Sequence, residues 1–458
     1  MTTTVLPIAR ERPYGLYAIC FGFFLVLLDT TALNVAAASM EREFGSGLSG
    51  LQWVLNAYTI VFASLLLTGG AMGDRFGAKR LYEIGLALFT GASLCCSLAP
   101  TVAALVGLRM VQGVGAAVML PASLGLLSHA FPDAGERARA VSFWASIVSL
   151  GFAAGPALGG ALTFAFGWRS IFLLNVPVGL FALALVRRYV EETRVNHARR
   201  IDWTGQAAAV LVLSALTYAL IEAGRLGWVA PRILAGFIVA AAGAILFSLF
   251  ERRSASPVLP PHLFANPAFS VCVVASLGIG FGMYGTLFVE SVRLQNVHHL
   301  SALAAGLMIV PFTVTPALTT RAIDRFDGRM HFRPRLAIGH VIAAAGAIVM
   351  MVSVWTSFGG FSFVEIGLGL LGVSLGYITP AMTAGVLASS PPETSSAASG
   401  ILNAARQVGA LVGVALMGAL MQTSGDRGLL ASFAIVLVIS VGMTVLALRL
   451  IPAPNAGP

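Results

Sequence analysis

Residues 151–160 read Gly151-Phe-Ala-Ala-Gly155-Pro156-Ala-Leu-Gly159-Gly160, inside an apolar segment running from about Ala140 to Leu162. Gly151, Gly155 and Gly159 stand at i, i+4 and i+8, so a helix sets them on one face as a groove that a neighbouring backbone can enter. Pro156 removes one backbone donor and bends the helix, which a membrane segment tolerates where surrounding protein satisfies the freed carbonyl. Small residues at every fourth position are common in packed membrane helices. The appended Pro-x-x-Gly-Gly makes this string more specific.

Outward from that string the chain stays apolar. Its 458 residues are 57% hydrophobic and 10% charged, with a mean hydropathy of +0.88, where a soluble chain carries about a quarter charged residues. With about 20 apolar residues needed per crossing, spans are expected near 14–38, 51–72, 81–100, 103–128, 140–162, 169–187, 202–222, 231–250, 268–290, 301–320, 335–356, 361–388, 398–421 and 429–450. That reading is an all-α integral membrane protein with fourteen transmembrane helices. The first run is of full spanning length and leads into another span, so it reads as a helix and not as a cleaved leader. Cys20, Cys95, Cys96 and Cys272 all fall in apolar segments, with no disulfide framework or metal spacing.

The net charge of +9 is distributed by side. Twenty of the 28 basic residues fall in the N-terminal segment and the alternate loops on its side, six in the opposite loops, with Arg109 and Arg406 inside spans. By the positive-inside rule both termini are expected in the cytoplasm of a cell-membrane protein, with lipid headgroups and not nucleic acid as the partner of the basic face. Neither a Walker-type Gly-xxxx-Gly-Lys-Ser/Thr nor a His-Glu-xx-His is present, so no ATP or zinc chemistry is indicated. No nucleophile and base pair stands out for an enzyme, and the expected cofactor, metal and catalytic sets are all empty.

The segment after the second span reads Gly70-Ala-Met-Gly73-Asp74-Arg75-Phe-Gly77-Ala-Lys79-Arg80, and Ala322-Ile-Asp324-Arg325-Phe-Asp327-Gly328-Arg329 echoes it in the second half. Such an echo is the trace of an internal duplication. It divides the chain into a six-helix bundle over 1–200, a two-helix insert over 201–252 and a second six-helix bundle over 253–458.

Asp29, in Leu28-Asp29-Thr30-Thr31-Ala-Leu-Asn34-Val-Ala36, lies about halfway through the first span. An ionised carboxylate there costs about 2.5–3.5 kcal/mol on insertion scales. It must be offset by a partner, or carry a proton part of the time, since burial favours the neutral acid. A packing role held by a hydroxyl or an arginine is the plain alternative. Arg109, in Leu108-Arg109-Met-Val-Gln112-Gly113-Val-Gly115, is the other ionisable group deep in the first half, either as part of proton transfer or as a structural counter-ion.

Taken together these strings resemble the Major Facilitator Superfamily, and within it the fourteen-spanner drug/proton antiporters of multidrug efflux type. The superfamily's Gly-x-Leu-Ala-Asp-Arg-x-Gly-Arg-Lys segment is matched at Gly70, Asp74, Arg75, Gly77 and Lys79, while Met72, Gly73 and Ala78 depart. The resemblance implies that Gly70, Gly73, Asp74, Arg75, Gly77 and Lys79 form a conformational latch. In it Asp74 would face a helix start in the other bundle, near Pro391–Gly400. It implies that Asp29 and Arg109 couple protons to transport, in the Leu-Asp-x-Thr-x-x-Asn-Val-Ala and Arg-xx-Gln-Gly-x-Gly patterns, although the usual proline after the first is Ala38 here. Gly151, Gly155, Pro156, Gly159 and Gly160 correspond to the antiporter helix. Further branch markers are Gly167-Trp168-Arg169 through Asn175, Pro177 and Gly179, then Gln295, Gly306 and Pro311, then Asn403, Arg406 and Gly409. Trp168 also reads more simply as an interfacial aromatic.

The expected pocket draws on Asn34, Gln112, Tyr58, Tyr284, Asn403 and Arg406, with Phe23, Phe24, Trp53 and Phe281 as further aromatic candidates. Glu222, Glu290 and Glu365 stand near span ends and are expected at the interface. The implied function is export of a small, lipophilic or cationic drug by a monomer in exchange for protons, with the proton gradient as energy source. The alternatives are a dedicated exporter of one metabolite, such as a siderophore, a self-made antibiotic, an amino acid or a lipid precursor, and a non-transporting membrane sensor.

Overall fold

In a computed structural model, residues 8–193, 203–253, 259–327, 330–355, 361–391 and 394–452 are described, and every regular element among them is helical. The first six helices are α1 (Ile8–Phe44), α2 (Gly47–Phe76), α3 (Ala78–Ser97), α4 (Val102–Ala130), α5 (Ala134–Phe166) and α6 (Arg169–Tyr189). The insert is α7 (Trp203–Leu226) and α8 (Pro231–Arg253). A single turn, α9 (Pro261–Phe264), precedes α10 (Pro267–Asn296), α11 (Ala302–Asp327), α12 (Phe332–Trp355), α13 (Ser362–Ala388), α14 (Ser395–Ser424) and α15 (Asp426–Leu450).

Thirteen of these helices are long and apolar enough to cross a membrane. The fourteenth long helix, α3, has 20 residues and carries Lys79, Arg80 and Glu83 in its first two turns, which lowers its hydropathy. Where helices start in polar surroundings a side chain takes up the free amides: Thr101 accepts from Ala104 N–H, Asp133 from Glu136 N–H and Asn266 from Ala268 N–H, at 3.2, 2.9 and 3.0 Å.

Helices α1–α6 pack as one bundle and α10–α15 as the other, meeting along a seam formed by α1 with α10 and α11, α5 with α11, and α2 with α14. The insert helix α7 lies over the α2–α14 line and α8 packs on α7. Polar contacts fix α7 to α2: Gln206 Nε2 donates to Ser64 O at 2.7 Å, Thr68 pairs with Gln206, and Trp53 Nε1 donates to Glu222 Oε1 at 3.0 Å. Toward α14 the same helix packs apolar side chains, Leu213 in one cluster with Leu411 and Leu220 and Ile221 in another with Ala415.

With fourteen crossings the two chain ends lie on one side, the termini side. Hydrogen bonds across the seam occur in the opposite, far half. Gln52 Nε2 donates to Val414 O and Ala415 O at 2.8 and 2.7 Å, and Ser49 Oγ to Gln422 Oε1 at 3.1 Å. Ser291 Oγ donates to Asn34 O, Gln295 Nε2 to Val35 O and Asn296 Nδ2 to Glu41 Oε2, each at 2.8 Å. Thr313 Oγ1 donates to Ala153 O at 3.1 Å. Among the described residues no hydrogen bond crosses the seam in the termini-side half. The molecule is sealed on the far side.

The glycine string explains part of that seal. A methyl group added at Gly151 would lie 2.7 Å from Phe24 O, one at Gly155 would overlap Thr31 Oγ1, and one at Gly159 would lie 2.6 Å from Ala32 Cα. The i, i+4, i+8 face therefore receives α1, within its own bundle. Gly160, one residue on, faces the other bundle, 2.5 Å from Ala302 O by the same construction, and Gly306 of α11 abuts Pro156 O.

The segment expected as a loop over Gly70–Arg80 is mostly helix. α2 continues through Phe76 and α3 begins at Ala78, leaving Gly77 alone at the elbow with φ +95°. Gly77 has no side chain to cap α3, and residues following α6 do so instead: Thr193 Oγ1 accepts from Ala78 N–H at 2.9 Å, and the Glu192 carboxylate accepts from Lys79 N–H and Arg80 N–H at 2.9 and 3.0 Å. An anion at a helix N-terminus is favoured by the dipole. A Cβ at Gly77 would sit 2.7 Å from that carboxylate in a φ region costly for other residues. Gly77→Ala should therefore cost about 1–3 kcal/mol, read as a lower thermal midpoint of the purified protein. An unchanged midpoint would show that the elbow is not so constrained. The side chain of Asp74, and Gly328 and Arg329 of the second-half echo, lie outside the described residues.

Candidate proton and substrate site

The deepest charges of the first bundle are brought together from five helices. Asp29 of α1 is 0% exposed, and its Oδ2 accepts from Arg109 Nη1 of α4 at 2.6 Å. Its Oδ1 accepts from Asn175 Nδ2 of α6 at 2.9 Å and from Gln112 Nε2 of α4 at 3.3 Å. Arg109 and Gln112 share one face because they are three residues apart on a helix. Arg109 Nη1 donates to Gln112 Oε1 at 2.6 Å, and its Nε to Val54 O of α2 at 3.3 Å. Behind them Ser93 of α3 accepts from Gln112 and Asn175 at 2.8 and 3.2 Å. The remaining helix, α5, contributes the glycine face on which this stretch of α1 rests.

Within this cluster the charged groups are matched, while Asn175 Oδ1 is buried without a partner. A buried charge pair is tolerated when its remaining hydrogen-bonding positions are filled, and here both carboxylate oxygens are occupied. The Arg109 guanidinium also lies 4.3 Å above the centre of the Tyr58 ring, a cation–π contact strengthened by exclusion of water.

Arg109 reaches from this cluster to a cavity at the bundle seam. The cavity, of about 20 Å3, is bounded by Thr30, Asn34, Tyr58 and Arg109 from one bundle and by Tyr284 and Gln407 from the other. That is room for one or two water molecules. A drug-sized compound requires the bundles to part.

Of the residues expected to form the pocket, Asn34, Tyr58 and Tyr284 line this cavity. Gln112 stands behind it as a partner of Asp29. Asn403 donates to Ser399 O at 3.0 Å, one turn back on α14. Arg406 precedes the lining residue Gln407, and its Nε is buried without a partner. The other aromatic candidates are elsewhere: Phe23 stacks on Trp144, Trp53 meets Tyr218 and Glu222 of the insert, and Phe281 belongs to the second bundle's core.

Three sequence expectations are corrected. Glu290 is not interfacial: α10 runs six residues beyond it, and the side chain is 0% exposed with Arg293 Nη1 at 3.4 Å. Arg293, one of the six basic residues expected in the opposite loops, lies inside α10 instead, 5% exposed, and donates to Ser353 O of α12 at 3.0 Å. Trp168 is 1% exposed, its Nε1 donating to Glu43 Oε2 at 2.7 Å, so it is a core residue and not part of an aromatic belt. Glu365 is exposed in the first turn of α13, as expected of an interfacial residue.

Two members of the Asp29 cluster are not among the site residues expected from sequence. Ser93 carries no signal in the chain. Asn175 does: it is an amide in the run Phe172-Leu-Leu-Asn175-Val, a polar group inside a span that needs a partner.

A family model described as the Major Facilitator Superfamily matches residues 19–370 of the chain. The chain belongs to that superfamily. It is 35% identical over 455 residues to the methylenomycin A resistance protein of Streptomyces coelicolor, covering 97% of this chain and 94% of the relative. It is 36% identical over 412 residues to the multidrug resistance protein Stp of Mycobacterium tuberculosis, covering 90% of this chain and 76% of that one. Among solved structures it resembles a peptide transporter POT in complex with sulfate, with TM-score 0.72 and 15% identity over 95% of this chain and 94% of that one. A D-xylose-proton symporter gives TM-score 0.69, also at 15% identity, over 95% and 97% of the two chains. At such identities the likeness is one of fold. This facilitator is a multi-pass membrane protein of two six-helix bundles with two inserted helices.

Proposed function

We propose that the chain exports small antibiotic-like compounds from the cytoplasm in exchange for protons, by alternating access across a cell membrane. The carrying observation is the Asp29 carboxylate, fully buried beside the seam cavity and held by an arginine that itself lines that cavity. Asp29 is the proton carrier in this reading. When it takes up a proton the reason for Arg109 to remain on it disappears, so one protonation changes both the cluster and the wall of the cavity. The excess of basic residues on the termini side supports a cytoplasmic position for both ends. The drug- and antibiotic-resistance relatives support export as the direction.

Rocking of the bundles about the seam exposes the cavity to one side at a time. In this reading the contacts of Gln52, Ser291 and Gln295 close the side away from the cytoplasm.

The test is reconstitution in vesicles with an acidic interior, with uptake measured for ethidium, p-toluenesulfonamide and p-toluenesulfonate, a cation, a neutral compound and an anion. Accumulation of at least one of them, abolished when nigericin collapses the pH gradient, is the expected result. Uptake insensitive to nigericin, or no uptake of any probe, would overturn the proton-exchange reading.

A further inference from the structure

The polar groups at the seam favour a ligand of a particular charge. Asp29 is the one carboxylate at its centre among the described residues, and it is unavailable to a cationic compound: Oδ2 is taken by Arg109, and Oδ1 by Asn175 and Gln112. Opposite it, on α14 of the other bundle, Arg406 has no hydrogen bond, ion pair or ring contact from its side chain among the described residues, and its Nε is buried. It stands one residue before Gln407 on the helix that also brings Ala410 and Val414 to the cavity wall.

The charges at the seam therefore do not cancel. Asp29 balances Arg109, Glu290 balances Arg293 deeper in the second bundle, and Arg406 is left over. Arg406 is half-buried with its Nε enclosed; a guanidinium without a counter-ion is costly within a membrane, and no side chain among the described residues supplies one. The uncharged groups lean the same way. The Tyr58 hydroxyl is buried without a partner, and Gln407 makes no hydrogen bond among the described residues. Asn34 Oδ1 is an acceptor left free beside them.

We infer that the seam site takes a small organic anion, an aromatic or apolar body bearing a carboxylate or sulfonate, with its negative group paired to Arg406. Tyr58 and Gln407 are positioned to donate to its oxygens, and Asn34 Oδ1 to accept from a hydroxyl or amide on the same ligand. A guanidinium suits this role because it presents several donors in one plane to a two- or three-oxygen anion. The inference rests on the export reading for the direction of transport, and narrows the drug class away from cations. Anion and proton bind to different bundles, so their exchange is enforced by the state each favours and not by competition for one carboxylate.

The test is equilibrium binding to the full chain in lipid nanodiscs, without any gradient, of three probes with one aromatic ring and fixed charge: p-toluenesulfonate, p-toluenesulfonamide and benzyltrimethylammonium. The sulfonate should bind tightest, and Arg406→Gln should weaken it about 10-fold to 100-fold, the range for loss of a charged hydrogen bond. Arg406→Lys should retain part of the preference, and sulfonamide binding should be equal in all three proteins, which checks that the variants are folded. Benzyltrimethylammonium binding as tightly as the sulfonate would overturn the assignment. So would an Arg406→Gln protein that keeps the anion preference, or a wild-type chain that fails to bind the sulfonate at millimolar concentration. None of these results touches proton exchange, which the vesicle experiment tests separately.

Discussion

An Asp29→Asn protein is expected to lose gradient-driven accumulation down to the level of empty vesicles, the largest functional effect expected of any single substitution in this chain. Asparagine cannot carry a proton, and its amide would present N–H groups to Asn175 and Gln112, which are already donors to this position. It would also leave Arg109 charged and uncompensated. Removing one partner of a buried ion pair costs about 3–5 kcal/mol, so the single variant should be less stable as well as uncoupled. The two effects separate in the double variant Asp29→Asn with Arg109→Gln, which removes the stranded charge. Its thermal midpoint should recover toward wild type while accumulation stays at background. Recovery of accumulation in the double variant, or full accumulation in Asp29→Asn alone, would remove Asp29 from the coupling role.

The second large effect is expected at Gly160. A side chain there meets the Ala302 carbonyl across the seam, with the added Cβ 2.5 Å from the oxygen, so Gly160→Ala should oppose closure of the far side. Overpacking of a close contact costs about 1–3 kcal/mol, enough to shift a two-state balance by roughly 5-fold to 150-fold. Transport should fall by a similar factor while the first bundle stays folded, because the atoms nearest an added Cβ at Gly160 all belong to α11. The readout is labelling by a membrane-impermeant maleimide of a cysteine at Ser49, in a chain freed of Cys20, Cys95, Cys96 and Cys272. Labelling from the far side should rise in Gly160→Ala. In Gly155→Ala it should not, since the added methyl overlaps Thr31 within one bundle and acts on stability. Equal labelling of wild type and Gly160→Ala would show that this contact does not govern closure.

Asp29 and Gly160 mark where the sequence was sufficient and where it was not. Composition and spacing were enough for an all-helical chain with fourteen crossings, because lipid demands long apolar segments and little else produces them. The isolation of Asp29 and Arg109 within apolar runs was enough to single them out as a pair needing an explanation. Their mutual contact, and the amides that complete it, depend on the rotation of α1, α4 and α6 about their axes, which no single helix specifies. The glycine string shows the same division. Its face was legible, but Gly159 and Gly160, adjacent in the chain, point about 100° apart and so serve different bundles.

Helix ends were read least well. Polar residues from Gly70 onward suggested a loop, yet α2 holds its backbone hydrogen bonds through Phe76, beyond the point where its side chains stop being apolar. The same effect misplaced Glu290 and Arg293. Charged residues near the end of an apolar run suggested an interface, whereas α10 continues to Asn296 and keeps both inside the second bundle. Trp53 and Glu222 join helices 169 positions apart, a pairing with no local signature.

The placement of α7 bears on how a membrane-dissolved compound would arrive. Of the two flanks along which the bundles meet, the one between α2 and α14 is roofed by α7, and α8 stands beyond it. Among the described residues the opposite flank, between α5 and α11, has no such cover, and Leu158, Phe164, Leu307 and Leu318 are exposed along it. The insert therefore gives an otherwise pseudo-symmetric carrier a front and a back, with one flank facing lipid directly and the other screened from it.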